Sequence, residues 1–331
     1  MRFYLTDAYI QALLSGIPKA RKRVIIHATD IRWGEHLNVF LPLLADAAKR
    51  GLEVRIIGDM YSKYLSLAPH LNRSSSISWK ATSAINDTLR QNGVQVSYIG
   101  KLHLNPFKRR THSKITLLDD RIFTFGGINF SEGALQNKDY MLEMHDPILA
   151  DRLYRLVRTI ESNDPVPLPD LEEQLGGEAT LLFDGGTPKQ SIIYDTACRL
   201  AATAKKIYVV SQMCPSGQLA KNINKTDNEC YFIRFNQTDP PDNLGLIFDQ
   251  KRYHIKNRYT GNAYIHAKFL LTEDHNGTKH LLSGSNNLSY RGVAFGTREI
   301  ALHSTNIELW NSFYQFIQQE IRGAAPQPHR T

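Results

Sequence analysis

The chain has 331 residues, long enough to bury roughly three quarters of its unfolded surface without a disulfide or metal staple. Hydrophobic residues make up 42% and charged residues 22%, near globular averages, which excludes disordered, collagen-like and coiled-coil chains. Forty basic side chains against 32 acidic ones leave a formal charge of +8, a field that favours polyanionic partners, either nucleic acid or an anionic membrane surface.

In chain order, a helical pattern covers 8–20 and an apolar strand-like run follows at 24–29. A second helix pattern at 37–50 stops at Gly51, a residue suited to a helix C-terminus. A strand at 53–58 comes next. The Ser-rich stretch 66–83, with Arg73, Trp79 and Lys80, reads as a long loop. Residues 164–169 carry three prolines in five positions, resist helix and strand alike, and make the best linker. Beyond it the order repeats: a helix at 191–204, Lys205-Lys206, strands at 207–211 and 230–235, and a long loop at 238–262 containing Pro240-Pro241 and then a basic run. Strands alternating with helices predict an α/β fold, with mostly parallel sheets covered by helices. Two halves are expected, 1–170 and 171–331.

Cys198, Cys214 and Cys230 form no Cys-x-x-Cys pattern and read as reduced thiols. The N-terminus meets Asp7 before any apolar core of signal-peptide length. No window of about 18 apolar residues predicts a membrane span. The expected location is cytoplasmic, with peripheral membrane contact open.

One pattern occurs twice. Thr111-His112-Ser113-Lys114 leads to Asp119 and then to Gly126-Gly127-Ile128-Asn129; Ile265-His266-Ala267-Lys268 leads to Glu273 and then to Gly284-Ser285-Asn286-Asn287. Composition gives about 0.14 chance occurrences of the His-x-Lys-x4-acid core, so one copy is weak and two, each with its Gly/Asn turn, are specific. On a strand, residues two apart share a face, so His112 and Lys114, and likewise His266 and Lys268, point together. Asp119 lies seven residues from His112, an odd separation, so Asp119 and Glu273 are expected to be structural or to support the reacting groups from behind. The glycines and Ser285 allow close backbone approach to a ligand, and Asn129 and Asn287 offer amide donors to a phosphate oxygen.

Two His, two Lys and two Asn without a carboxylate cluster suit phosphodiester transfer that needs no metal. The ammoniums offset the phosphate charge. One neutral imidazole attacks phosphorus and the other, protonated, delivers a proton to the departing oxygen. No cofactor is expected, and one chain holds all the parts of one site, so a monomer suffices.

These paired motifs resemble those of the phospholipase D superfamily, and Gly126-Gly127-Ile128-Asn129-Phe130 resembles in particular the first motif of cardiolipin synthase-like phosphatidyltransferases. The resemblance implies an α/β sandwich with one active site between two pseudo-symmetric halves and a phosphohistidine intermediate. It implies His112 as nucleophile and His266 as general acid/base, an assignment the residues alone leave open. It also implies that Asp139 and Glu299, a dozen or so residues after each Asn, hold the imidazoles. Three departures from the pattern stand out: Glu273 in place of Asp (with Asp274 adjacent), an insertion at 274–280, and the absence of N-terminal membrane helices.

Mixed cations and aromatics precede both motifs, so Lys108, Arg109 and Arg110, with Lys251, Arg252 and Lys256, are candidates for a rim that draws in a polyanion. The expected activity is phosphodiester transfer or hydrolysis on anionic phospholipid. The alternatives are a metal-independent nuclease and a degenerate protein that binds lipid or nucleic acid without turnover.

Overall fold

The computed structural model describes residues 1–61, 63, 79–100, 110–235, 237 and 240–323. The first stretch runs β1 (Arg2–Leu5), α1 (Thr6–Gly16), β2 (Arg23–His27), β3 (Ile31–Arg32), α2 (Phe40–Lys49) and β4 (Glu53–Asp59). It continues with α3 (Trp79–Gln91), β5 (Gln95–Ile99), β6 (Ile115–Leu118), β7 (Arg121–Thr124), β8 (Phe130–Ser131), β9 (Tyr140–His145) and α4 (Pro147–Asn163). After the proline-rich segment come β10 (Leu171–Gln174), β11 (Ala179–Asp184), α5 (Ile192–Thr203), β12 (Ala204–Val210), α6 (Gly217–Ile223) and β13 (Asp227–Tyr231). The last elements are α7 (Pro240–Tyr253), β14 (Phe269–Asp274), β15 (Lys279–Gly284), α8 (Tyr290–Phe295), β16 (Glu299–Ser304) and α9 (Ile307–Phe316).

The strands form two seven-stranded sheets, ordered β1-β9-β7-β6-β2-β4-β5 and β10-β11-β16-β15-β14-β12-β13. Overlaid through β2 and β12, the two orders coincide over six strands, from β1 to β4 in one and from β11 to β13 in the other. The fold is α/β, but the sheets are mixed and mainly antiparallel, not mostly parallel. Only β2/β4, β4/β5 and β12/β13 pair in parallel within them. Helix crossovers join those strands, whereas tight turns join β6 to β7 and β14 to β15, and a short turn can only return the chain antiparallel.

Two expected loops contain helix among their described residues. Helix α3 takes in residues 79–83; residues 66–78 lie outside the described set. Its buried face is Thr82, Asn86 and Leu89, too polar to read as an apolar stripe. Asn86 accepts from Trp33 Nε1 at 2.8 Å and donates to the Tyr98 hydroxyl at 3.0 Å, which makes the polar face buryable. Helix α7 fills much of 238–262. Its two prolines fall in the first turn, where a missing N–H costs no intrahelical bond.

A shared aromatic cluster joins the sheets. The Tyr140 ring on β9 meets Phe313 of α9 at 4.8 Å and Phe3 of β1 at 5.1 Å, and Phe313 in turn meets Phe269 of β14 at 4.9 Å. The Tyr140 hydroxyl donates to the Lys268 carbonyl at 2.9 Å and lies 2.7 Å from Ser283 Oγ, which donates to the Phe125 carbonyl at 2.7 Å. Aromatic pairs of this kind add about 0.5–1.5 kcal/mol each beyond their area. The seam is therefore a packed core. No helix among the described residues is long and apolar enough to cross a membrane.

Candidate active site

Each repeated motif enters its sheet through a short extended approach. Residues 111–114 precede β6 and residues 265–268 precede β14, so the His-x-Lys segments are not themselves in strands. Instead they pair across the seam. Thr111 bridges Arg298 in parallel, and Ile265 bridges Lys138. The His112 N–H donates to the Arg298 carbonyl at 2.8 Å, and the His266 N–H donates to the Lys138 carbonyl at 3.0 Å. The residue after each bridge partner is an acid, Glu299 or Asp139. The backbone thus delivers to each histidine the carboxylate of the other sheet.

His266 Nδ1 lies 2.7 Å from Asp139 Oδ2. His112 Nδ1 lies 3.1 and 3.2 Å from the two Glu299 oxygens. In both rings the acid on Nδ1 favours the tautomer protonated at that nitrogen, with Nε2 left free of this contact. All four side chains are buried.

The flanks of the two pairs differ. At the Gly127 position a Cβ would fall 2.7 Å from both Asp139 carboxylate oxygens and 2.7 Å from the His266 carbonyl. Only glycine leaves room for that short approach. The equivalent in the second motif is Ser285, whose hydroxyl donates to Glu299 Oε2 and whose Oγ accepts the Ile300 N–H at 3.0 Å. Ser285 therefore acts on the acid behind His112.

Lys114 Nζ donates to Thr29 Oγ1 at 3.1 Å and to the His112 carbonyl at 2.5 Å. Lys268 Nζ donates to the His266 carbonyl at 2.5 Å. Burial moves these groups strongly. It pushes Lys268 down to about 8, against the pull of Asp139 and Glu299. Lys114 falls well below the lysine range through burial and the charge of Lys268. Burial and the neighbouring ammoniums bring His266 down to about 4 and hold His112 well below the ordinary imidazole value. Glu299 rises to about 7 because burial outweighs the two lysines and Ser285. In the His112–Glu299 pair burial drives both partners towards neutrality.

Asn129 Oδ1 accepts the Asp30 N–H at 3.2 Å, so its amide hydrogens face away from that contact. Asn287 is anchored by its main-chain carbonyl, which accepts from Ser211 Oγ at 2.7 Å, and its buried Oδ1 has no hydrogen-bond partner among the described residues.

The motif acids behave differently from Asp139 and Glu299. Asp119, at φ 54° in the β6–β7 turn, accepts the N–H groups of Arg21, Lys22 and Arg23 at 2.8–3.0 Å. It fixes the entry to β2, and neither histidine is among its hydrogen-bond partners in the described residues. Glu273 sits at the far end of β14 opposite Lys206 and Lys279, away from His266. Asp274 accepts the N–H groups of Asn276 and Thr278 in its own hairpin.

Of the expected rim, Lys108 and Arg109 lie outside the described residues. The Arg110 guanidinium stacks on the Tyr61 ring at 3.5 Å, and its charge helps to depress His112. Lys251, Arg252 and Lys256 are exposed at the end of α7 and just beyond it. Thr29, behind Lys114, was not legible in the motif. Nor was His27, whose Nε2 meets Thr111 and Ser113 hydroxyls at 3.2 and 3.0 Å and whose pKa burial lowers to about 3. The signal for both was present: His27 closes β2, the strand that pairs with β6, and Thr29 follows it by two residues.

Residues 13–160 match the family described as cardiolipin synthase, PLD-like domain. Cardiolipin synthase B of Salmonella typhi is 28% identical over 165 residues, which is 48% of this chain and 38% of that protein. The match thus spans well under half of the relative's length. A phosphatidylserine synthase from Haemophilus influenzae Rd KW20 shares the fold with a TM-score of 0.71 at 13% identity, over 96% of this chain and 86% of that one. A polyphosphate kinase from Porphyromonas gingivalis does so with a TM-score of 0.60 at 11% identity, over 96% of this chain and 50% of that one. At such identities these two likenesses speak to fold alone.

Proposed function

We propose that this chain belongs to the phospholipase D superfamily and transfers or hydrolyses the phosphodiester of an anionic phospholipid through a phosphohistidine, with residues 1–170 and 171–331 each contributing half of the site. The observation that carries the reading is the reciprocal pairing of each histidine with the other sheet's carboxylate, with Lys114 and Lys268 beside them.

In the first step His112 Nε2 attacks phosphorus, the P–N bond forms, and the bond to the leaving alcohol oxygen breaks. His266, protonated on Nε2, gives its proton to that oxygen. In the second step neutral His266 takes a proton from water or an acceptor alcohol, the new oxygen bonds to phosphorus, and the P–N bond breaks. Lys114 and Lys268 offset the charge that builds on the non-bridging oxygens, aided by the Asn129 amide. The tighter contact of the two, Asp139 on His266, supports the imidazolium role for His266, because a carboxylate at 2.7 Å stabilises the charged ring most. The looser Glu299 contact suits a ring that stays neutral until it attacks.

The formal charge of +8 suits a nucleic-acid diester as well. One assay separates the two substrates. Pure protein in EDTA is incubated with labelled phosphatidylglycerol vesicles or with single- and double-stranded DNA. Release of glycerol or formation of a two-phosphate lipid, with DNA intact, is the expected result. DNA cleavage without lipid turnover overturns it.

A further inference from the structure

We propose that the outward face of α7 is a membrane-docking surface that seats an anionic bilayer beside the active site; this rests on the phospholipid reading above. Helix α7 is 14 residues long and turns two opposite faces to its surroundings. Inward, Leu246 is fully buried and Asp249 pairs with Arg291 of α8 at 2.9 Å. Outward, Leu244 is 70% exposed and Phe248 57% exposed. These two lie four residues apart, one turn of helix, so they form a continuous apolar strip. Adjacent exposed apolar side chains on one helix face are the kind of surface that docks against an apolar phase.

The next turn along the same face carries Lys251 and Arg252, both exposed, and neither makes an ion pair among the described residues. The Arg252 guanidinium lies 5.7 Å from the Phe248 ring and 5.5 Å from that of Tyr253. Beside it opens a cleft of about 580 Å³ lined by Tyr194, Lys221, Arg252, Tyr253, His254 and Tyr290, with no acidic side chain among the described residues of its wall. Apolar side chains that enter the acyl boundary, cations at headgroup level and tyrosines between them are what an anionic lipid surface recognises. An apolar strip alone or a basic patch alone binds bilayers weakly; the two together suffice.

The position is suited to delivery of substrate. The cleft wall includes Tyr290, three residues after Asn287, and the Asp249–Arg291 pair ties α7 to the helix that Tyr290 opens. A headgroup entering the cleft is held by the same segment that presents the second Gly-Ser-x-Asn turn.

The test is flotation with vesicles of phosphatidylcholine containing or lacking phosphatidylglycerol, at low and high salt. Wild-type chain should float with the anionic vesicles only. Leu244→Ser/Phe248→Ser should weaken that partition by at least ~10-fold, and Lys251→Ser/Arg252→Ser by about five-fold per charge removed. Both apolar positions are exposed, so the first variant should keep its melting temperature and its rate on monomeric short-chain phosphatidylglycerol. Unchanged flotation of both variants overturns the proposal. So does a dimer of the wild-type chain that the same variants make monomeric, with no vesicle binding. Flotation that is lost in the variants, from a protein that turns over no lipid in any form, keeps the docking surface and removes the activity.

Discussion

Asp139 lies 2.7 Å from the Nδ1 of His266, a residue 127 positions later, and Glu299 faces His112 across a gap of 187 positions. Neither acid serves the histidine of its own motif. The crossing follows from two single-residue backbone bridges, Ile265 to Lys138 and Thr111 to Arg298, and it makes each imidazole a reporter on the opposite sheet.

The first prediction separates the two rings. His112→Ala should abolish turnover, and His266→Ala should slow it by about 10²–10⁴-fold, the range for loss of one proton-transfer group. Rapid alkaline quench and mass spectrometry should find the acid-labile phosphoryl adduct on the peptide containing residue 112. An adduct on residue 266 reverses the assignment.

Removing the crossed acid is the second. Asp139→Asn keeps the size and loses the charge that stabilises an imidazolium, so kcat should fall by about 10²–10³-fold with a small change in KM. Gly127→Ala should act through the same contact, since its Cβ would displace the Asp139 carboxylate and press on the His266 carbonyl. If Gly127→Ala leaves kcat intact, the 2.7 Å contact has no part in the reaction.

The third concerns pH. Lys268 is pulled down to about 8 by burial, so its ammonium is lost as pH rises through that value, and kcat/KM should fall there. His112 sits well below the ordinary imidazole range, so the free enzyme keeps its nucleophile unprotonated and the acid limb lies below pH ~6.5. His266, brought down to about 4, is neutral near pH 7 until a bound diester anion raises it. Binding a non-cleavable phosphodiester at pH 7 should therefore take up a proton, seen as a buffer-dependent binding heat. A heat independent of the buffer's ionisation enthalpy would count against His266 as the acid.

A fourth concerns Asp119, which fixes three backbone N–H groups ahead of β2. Asp119→Ala should lower stability by about 1–3 kcal/mol and leave kcat within about two-fold at temperatures where the protein is folded. A large loss of kcat in a stably folded variant contradicts the purely structural role.

Much of this site was legible because the motif is written twice. His112, Lys114, His266 and Lys268 are read from spacing alone. The exchange of acids is not, because residues 139 and 299 reach their histidines through pairings whose sequence separation no local pattern encodes. Sheet direction was misread for a related reason: helix–strand alternation is visible, whereas the short turns at Asp119 and at Asn276-Gly277 decide that β6 and β14 return antiparallel. Helix α7 was hidden by Pro240-Pro241, which break a helix in its interior and open one at its first turn. Helix α3 was hidden by a buried face that carries Thr82 and Asn86.

The seam between the sheets has one more consequence. Tyr140 and Ser283 tie the strand carrying one acid to the strands that flank the other histidine, so any sliding of one sheet on the other loosens both imidazole–carboxylate contacts at once. In the proposed mechanism such a movement detunes the attacking group and the proton donor together.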